Sequence, residues 1–177
     1  MHVSVATGRV ASVEVGSTLL DISKPSQPPV VPSRSLRAQS VVYALLELPG
    51  SGLAAGTVAG IVDLWPDAEA VQRGGAPPAK LQASGRVYAL LELPGGGLAA
   101  GTYAGTVDLW PDAEAVQRGG APHTKLQASG VVNALLELPG GGLAAGTYAR
   151  TVDLWPDAEA VQRGGAPRAK LQASGVV

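Results

Sequence analysis

The chain has little of the chemistry on which catalytic and metal sites are usually built. Its 177 residues include no cysteine, no phenylalanine, one methionine and two histidines. The lack of cysteine excludes disulfides, thiolate metal sites and thiol nucleophiles. The two histidines, His2 and His123, do not recur between the copies, so the sequence offers no histidines for a metal cluster or an acid–base relay. We therefore expect no enzyme activity, no cofactor and no bound metal.

Charge of one sign and long apolar runs are also scarce. Thirteen basic and fourteen acidic residues leave a formal net charge of −1, which favours neither nucleic acid nor a membrane surface as a partner. No stretch approaches the roughly 18 consecutive apolar residues that a membrane helix needs. The first residues, MHVSVATGRVASVEVGS, lack the pattern of a secretory signal, so we expect a cytoplasmic or nuclear protein. The alternative is an organellar transit segment ending near Ser40, because SKPSQPPVVPSRSLRAQS is basic and rich in serine and proline.

What the chain has in abundance is repetition. Three near-identical copies begin at Val41, Arg86 and Val131 and cover residues 41–85, 86–130 and 131–175, so the period is 45 residues. A fixed period of this size is typical of solenoids, propellers and other arrays. The 24 glycines and 14 prolines predict many tight turns within each copy.

Each copy predicts four short strands. In the second copy these are residues 87–93, 98–103, 106–110 and 124–129, with Ala104 and Gly105 as a two-residue hairpin connection. Residues 112–123 predict a loop, in which Asp112 could cap one helical turn before Gly119 and Gly120. A lone sheet of this kind leaves two apolar faces in water, so the copies must stack face to face. The sequence therefore predicts an all-β, propeller-like array of four-stranded antiparallel blades.

Residues 1–40 predict a degenerate fourth blade of the same domain. Their apolar segments at residues 3–7, 10–15, 18–22 and 35–40 can serve as its strands, with residues 25–33 as its loop. On this interpretation residues 1–177 form one propeller-like domain of about four blades.

The segment RVYALLELPGGGLAAGTYAGTVDLW resembles a blade of the WD-repeat (Trp-Asp) β-propeller family. The likeness lies in an apolar first strand, a Pro-Gly turn, a second strand of small residues ending in GT, and a third strand ending in LW. It is strong over residues 41–175 and weak over the first 40. It implies four-stranded blades arranged around a central channel.

The departures from that family indicate a divergent member. The family's blades hold a hydrogen-bonded network of a second-strand Ser or Thr, a third-strand Trp, a His before the first strand and an Asp in the tight turn. This chain keeps Thr57, Thr102 and Thr147 with Trp65, Trp110 and Trp155, and has alanine at the other two positions (Ala59, Ala104, Ala149; Ala38, Ala83, Ala128, Ala173). Proline follows each tryptophan. A propeller of another family, such as the sensor-type repeats with an AGT-like turn, is the alternative.

Residues that recur once per copy invite a structural interpretation. We expect the three tryptophans to pack between blades rather than to form binding hot spots. The acidic residues lack the spacing of a calcium loop, so we expect a solvated loop at Asp63, Asp67 and Glu69, at Asp108, Asp112 and Glu114, and at Asp153, Asp157 and Glu159. Glu47, Glu92 and Glu137 interrupt apolar strands and are expected at the channel or a blade edge.

The differences between the copies point to one rim. The copies differ at eight positions, and the resemblance implies that five of them lie beside the two turns of one rim: Val41/Arg86/Val131, Tyr43/Tyr88/Asn133, Val58/Tyr103/Tyr148, Gly60/Gly105/Arg150 and Ile61/Thr106/Thr151. The resemblance implies that partners bind on this rim. Because tyrosine and arginine are favoured at interfaces, we hypothesise a partner site of Tyr43, Arg86, Tyr88, Tyr103, Tyr148 and Arg150. Unselected drift at exposed turns explains the same differences.

These observations favour a non-enzymatic scaffold that binds another protein. A multivalent lectin-like propeller with one sugar pocket per blade gap, and a duplicated fragment without selected function, are the alternatives. Four blades can close a small ring, but WD-type rings usually have more. The chain is then either a fragment of a larger propeller or half of a ring that a homodimer completes.

Overall fold

The computed structural model describes residues 3–6, 9–15, 18–21 and 35–172, with side chains described only in the last range. The chain divides into two compact units, residues 1–33 and 34–177. In the first unit β1 (Val3–Ala6), β2 (Arg9–Val15) and β3 (Thr18–Asp21) form an antiparallel sheet in chain order. These strands lie where the sequence predicted them. The predicted loop at residues 25–33 lies outside the described residues.

The second unit contains three four-stranded antiparallel sheets, one for each copy of the sequence repeat. We call them the first, second and third repeat. The first contains β4 (Val42–Leu48), β5 (Gly52–Thr57), β6 (Ile61–Trp65) and β7 (Ala79–Gln82). The second contains β8 (Val87–Leu93), β9 (Gly97–Thr102), β10 (Thr106–Trp110) and β11 (Thr124–Gln127). The third contains β12 (Val132–Leu138), β13 (Gly142–Thr147), β14 (Thr151–Trp155) and β15 (Ala169–Gln172). The predicted repeated all-β architecture is thus confirmed at the level of the sheets.

A short helix stands where the sequence predicted a loop. The helices are α1 (Ala68–Arg73), α2 (Ala113–Arg118) and α3 (Ala158–Arg163), each of six residues. In α2 the Asp112 carboxylate accepts a hydrogen bond from the amide of Ala115 at 2.8 Å, and the helix ends at Gly119 with a φ of 72°. The loop prediction was wrong because the glycine pair ends the helix only after six residues have formed. Exposed Glu–Arg pairs, such as Glu114 with Arg118, add little stability.

The hairpin between the second and third strands has three residues, not the two predicted. In the second repeat Tyr103, Ala104 and Gly105 connect β9 to β10, and the Gly105 amide donates to the carbonyl of Thr102 at 3.3 Å. Gly105 has a φ of 75°, as expected for a tight turn closed by a residue in the left-handed region. The extra residue sets Tyr103 outside the ladder, where it is exposed.

The three repeats stack face to face, with Trp110 and Trp155 between them, whereas Trp65 packs against Leu36 and Ala38 ahead of the first repeat. Trp110 is fully buried against the residues of the first repeat that face the second repeat. Trp155 occupies the equivalent place between the second and third repeats. The predicted packing between neighbouring sheets is confirmed for Trp110 and Trp155. The face of the first repeat turned toward the second, which we call its outgoing face, contributes Ala54, Val62, Leu64 and Leu81. The face of the second repeat turned toward the first, its incoming face, contributes Val87, Leu98, Ala100, Trp110 and Ala115.

A glycine in each second strand allows this close stacking. A Cβ atom on Gly56 would lie 2.5 Å from Cγ1 of Val87, and one on Gly101 would lie 2.6 Å from Cγ1 of Val132. Both distances are shorter than atoms tolerate, so no side chain fits where the first strand of the next repeat rests. At Gly146, the equivalent position in the third repeat, the neighbours of a Cβ among the described residues are Ala134 and Asn133 of the same repeat.

Main-chain hydrogen bonds join the outer edges of neighbouring repeats. The Gln82 amide at the end of β7 donates to the carbonyl of Gly120 at 2.8 Å, and Gln127 donates likewise to Gly165 at 2.7 Å. Each bond accompanies a parallel bridge, Leu81 with Gly120 and Leu126 with Gly165. The otherwise unpaired edges of β7 and β11 are therefore covered in part by the next repeat.

Residues 35–39 occupy the same position relative to the first repeat that β7, the fourth strand of the first repeat, occupies relative to the second. Leu36 forms the same parallel bridge with Gly75, and Leu36 and Ala38 pack against the cluster around Trp65. The strand predicted over residues 35–40 is thus present only as this single bridge. Whether residues 1–40 form one blade of the array stays a prediction.

Gly101→Ala tests the stacking of the second and third repeats. We expect the free energy of unfolding to fall by about 1 to 3 kcal/mol, since the new methyl group must push Val132 away from β9. The measurement is denaturant unfolding followed by tryptophan fluorescence. Gly97→Ala is an unsuitable control because its Cβ would strike Pro111, so the control is Ala104→Gly at an exposed turn. Equal stabilities of Gly101→Ala and the native chain would contradict the stacking contact.

Candidate functional site

The third strand of every repeat contains a fully buried carboxylate. Asp63, Asp108 and Asp153 are each 0% exposed, so the predicted solvated loop was wrong for these three residues. Asp108 accepts hydrogen bonds from the main-chain amide of Ser84 and, at 2.9 Å, from the Ser84 hydroxyl. Ser129 makes the same two bonds to Asp153. The carboxylate thus ties each third strand to the linker that precedes its own repeat, which is a structural role.

Most of the other acidic residues that recur in the repeats are exposed. Asp67, Asp112 and Asp157 are exposed and cap the short helices, and Glu69, Glu114 and Glu159 pair with arginines on the same helices. Glu47 and Glu137 are exposed, and Glu92 is half-buried. Over residues 35–172 the structure has no cluster of three or more residues suited to holding a metal ion.

The buried carboxylate of the first repeat is only half satisfied. Gln39 occupies the position of Ser84 and Ser129. Its main-chain amide donates to Asp63 Oδ2 at 2.8 Å, but its side chain has no hydroxyl to donate to Oδ1. In the second repeat the Thr106 hydroxyl also donates to Asp108 Oδ1 at 3.1 Å, whereas Ile61 occupies that position in the first. Asp63 Oδ1 is consequently buried without a hydrogen-bond partner. The difference between Ile61 and Thr106 therefore has a structural consequence.

The threonines and tryptophans do not form the network that the resemblance implies. The Thr102 hydroxyl lies 2.8 Å from that of Thr106, inside its own hairpin. The Trp110 indole nitrogen donates instead to the carbonyl of Gly120 at 3.3 Å, and Trp155 donates likewise to Gly165. The Trp65 indole nitrogen is buried without a partner. Trp110 and Trp155 thus donate to the outer edge of their own repeats and not to the threonines.

Four of the six residues hypothesised as a partner site lie together. The ring centroids of Tyr43 and Tyr88 are 5.0 Å apart, and those of Tyr88 and Tyr103 are 6.3 Å apart. The Arg86 guanidinium carbon lies 5.3 Å from the centre of the Tyr103 ring, a cation–π arrangement. Tyr43 and Tyr103 expose about half of their surface, 52% and 56%. We call these four residues the tyrosine patch.

A β-bulge in each first strand directs one residue to this patch. Val87 pairs with Thr102 and Ala89 with Gly101, so Tyr88 is an extra residue in the ladder. Tyr43 and Asn133 occupy the same bulge in the other repeats. A bulge bends its strand and changes the direction of its side chains. The alternation of apolar residues along the strand does not reveal the bulge. The change from Tyr43 and Tyr88 to Asn133 between the copies was the one sequence feature that marked this position.

The other two hypothesised residues lie on the third repeat, with no ring contact to the tyrosine patch within the described part of the chain. Tyr148 is 71% exposed in the hairpin turn, at the position equivalent to Tyr103. Arg150 has a φ of 62° where the other repeats have Gly60 and Gly105. Holding a residue other than glycine in this left-handed region costs of order 1–3 kcal/mol. The third repeat therefore has an arginine at a position whose backbone conformation favours glycine.

Two cavities open between repeats, away from the patch. The first, of about 490 Å³, is lined by residues that include Leu48, Pro49, Ala113, Val116 and Gln117. Its equivalent between the second and third repeats has about 180 Å³. Of the histidines, His123 is exposed near Arg118, and His2 lies outside the described residues.

Comparison with known proteins gives no relative. No family model matches the chain, and no curated protein matches it significantly. Within the parts of the chain that the structure describes, no helix has both the length and the apolar character to cross a membrane.

Gln39→Ser tests the half-satisfied carboxylate of the first repeat. The new hydroxyl should donate to Asp63 Oδ1 as Ser84 donates to Asp108, and we expect the free energy of unfolding to rise by about 1 kcal/mol. Thermal and denaturant unfolding measure the change, with Gln39→Ala as the control that adds no hydroxyl. If both variants are equally stable, the missing bond is not the cause of the difference between repeats.

Proposed function

We propose that the chain is a non-enzymatic protein-binding scaffold of the propeller type, and that its partner binds the tyrosine patch together with Tyr148 and Arg150 of the third repeat. The observation that carries the proposal is the gathering of Tyr43, Tyr88 and Tyr103 on an exposed rim. Large aromatic side chains of this kind dominate the energetics of protein interfaces, because they bury much area at little conformational cost.

The local structure favours binding over a packing role for these rings. Tyr43 and Tyr103 stay half exposed although they contact Tyr88 and Arg86, so each leaves a face free for a partner. They stand on a bulge and a tight turn, both fixed by main-chain hydrogen bonds such as Tyr103 amide to Arg86 carbonyl at 2.8 Å. A pre-organised surface loses little entropy on binding. Arg86 and Arg150 indicate that the partner segment offers at least one carboxylate beside its apolar side chains.

The repeated aspartates are engaged in the fold. Asp108 and Asp153 are buried and satisfied by the serine of the preceding linker. Asp112 and Asp157 cap helices. These roles leave a binding function as the better explanation of the exposed residues that vary.

A lectin-like function has weaker support. It requires a sugar site in each gap between repeats, and the cavities found there are lined mainly by leucine, proline, alanine and valine. Gln117 is the one side-chain amide in the larger lining. A sugar presents hydroxyls on every side, and such a lining would leave most of them without partners.

Selection from a displayed peptide library against the full chain tests the proposal. Peptides enriched on the native chain should bind a variant with Tyr88→Ala and Tyr103→Ala more than about tenfold more weakly, as interface tyrosines commonly contribute 1 kcal/mol or more. Replacing Arg86 and Arg150 by glutamate should weaken the same peptides and shift selection away from acidic ones.

The matched control is Val58→Ala, which shortens a side chain at the turn position equivalent to Tyr103 without removing a ring. Peptides that bind all variants with native affinity would place the site elsewhere. Binding on a glycan array, with no enriched peptide, would replace the proposal with the lectin-like function.

A further inference from the structure

The two cavities between repeats have matching walls but different volumes. The first cavity, between the first and second repeats, has about 490 Å³, and the second cavity, between the second and third repeats, has about 180 Å³. Every residue that lines the second cavity has its equivalent, one repeat earlier, in the lining of the first. These pairs are identical in sequence except for one, which is Ala79 in the first cavity and Thr124 in the second.

The threonine narrows the second cavity by reaching its opposite wall. Thr124 begins β11, and α3 contributes residues to the other side of the cavity. A Cβ built on Gly164, which ends α3, would lie 3.1 Å from Cγ2 of Thr124. At the equivalent Gly119 the described neighbour of a Cβ is Lys80, because the alanine at position 79 has no γ atom to make this contact. The difference between Ala79 and Thr124, which the rim hypothesis leaves unexplained, therefore leaves the first cavity open.

The lining of the first cavity suits a neutral and mainly apolar ligand. Leucine, proline, alanine and valine provide most of its wall, and Gln117 is the one lining residue whose side chain can form hydrogen bonds. No lining residue is charged, so a carboxylate or ammonium group inside would lose its water without gaining a partner. Small-molecule sites are mostly apolar clefts of about 300 to 1,000 Å³ with a few polar groups. The first cavity lies within this range and the second lies below it.

The walls of the first cavity are held by the backbone rather than by long side chains. The Ala113 amide at the start of α2 donates to the carbonyl of Gly95 at 3.1 Å, which ties the helix to the turn after β8. Pro49 and Pro66 line the cavity with rings that restrict their own backbone. A cavity formed in this way exists before a ligand arrives, so little ordering opposes binding.

We propose that the first cavity is a binding site for a small neutral molecule with an apolar body and one hydrogen-bonding group, which pairs with the Gln117 side chain. Ala79 determines that this gap, and not the next one, accepts the ligand. The site is separate from the tyrosine patch, because Leu48 at the end of β4 lines the cavity whereas Tyr43 near the start of β4 belongs to the patch. The proposal therefore does not depend on the protein-binding function.

Fluorescence titration of the full chain with N-phenylnaphthylamine, a neutral aromatic amine that brightens in apolar surroundings, tests the proposal. The native chain should bind one probe with a Kd on the order of 10 µM. Ala79→Thr copies the residue of the second cavity and should weaken binding by about tenfold or more. Thr124→Ala makes the reciprocal change and should add a second site. The control is Ala59→Thr, which adds the same atoms at an exposed turn and should bind the probe like the native chain.

Displacement of the probe by decanol and by decanoate, which have the same chain length, tests the chemistry of the ligand. Decanol should displace the probe at concentrations about tenfold lower, because decanoate brings a charge to an uncharged lining. Gln117→Leu should weaken decanol about fivefold through the loss of one hydrogen bond. Equal displacement by the two compounds would contradict a site for neutral ligands, and unchanged decanol binding by Gln117→Leu would contradict the assigned hydrogen bond.

The fold of each variant is checked by far-UV circular dichroism. Ala79→Thr should fold, since Thr124 occupies the same strand position in the second repeat. Should it misfold, Val116→Phe obstructs the first cavity from α2 instead. A native chain that binds no probe up to about 50 µM, or an Ala79→Thr variant that binds it with native affinity, would overturn the proposal. Loss of probe binding on replacing Tyr88 and Tyr103 by alanine would place the probe on the tyrosine patch and overturn it as well.

Discussion

The contact between successive repeats is the constraint on which the rest of the structure depends. A valine in the first strand of one repeat packs on a glycine in the second strand of the repeat before it. A tryptophan is buried in the same interface. A single repeat carries apolar residues on both faces, so it depends on its neighbours to bury them. Stability in such an array resides largely in the interfaces between neighbours.

The polar groups of the repeats serve the same contact. Asp108 reaches Ser84 in the linker that leads out of the preceding sheet, and Gly120 accepts the amide of Gln82 from that sheet's outer strand. Each repeat is therefore fixed to its predecessor at the inner linker and at the outer edge. The fixed stacking brings Tyr43 of one repeat to within 5.0 Å of Tyr88 of the next, so the candidate binding patch is itself a product of the interface.

Much of the fold could be predicted from the sequence, because a 45-residue period and short apolar runs leave few alternatives to stacked sheets. The helix α2 was missed because Gly119 and Gly120 suggested a loop, although six residues fit between Asp112 and the first glycine. The burial of Asp108 was missed because its partner, Ser84, lies 24 residues earlier in the chain. The tyrosine patch was found from variation between copies, whereas the bulge at Tyr88 depends on strand register, which no composition reveals.

Hydrogen exchange followed by mass spectrometry, on dilute protein, tests most directly whether neighbours stabilise the repeats. The peptides can be told apart, because the first strands differ at Tyr43, Tyr88 and Asn133 and their preceding residues. The second repeat is covered on both faces, so the amides of β8 and β9 should exchange more slowly than those of β12 and β13. Equal protection of the three repeats, or fastest exchange in the second, would contradict the account.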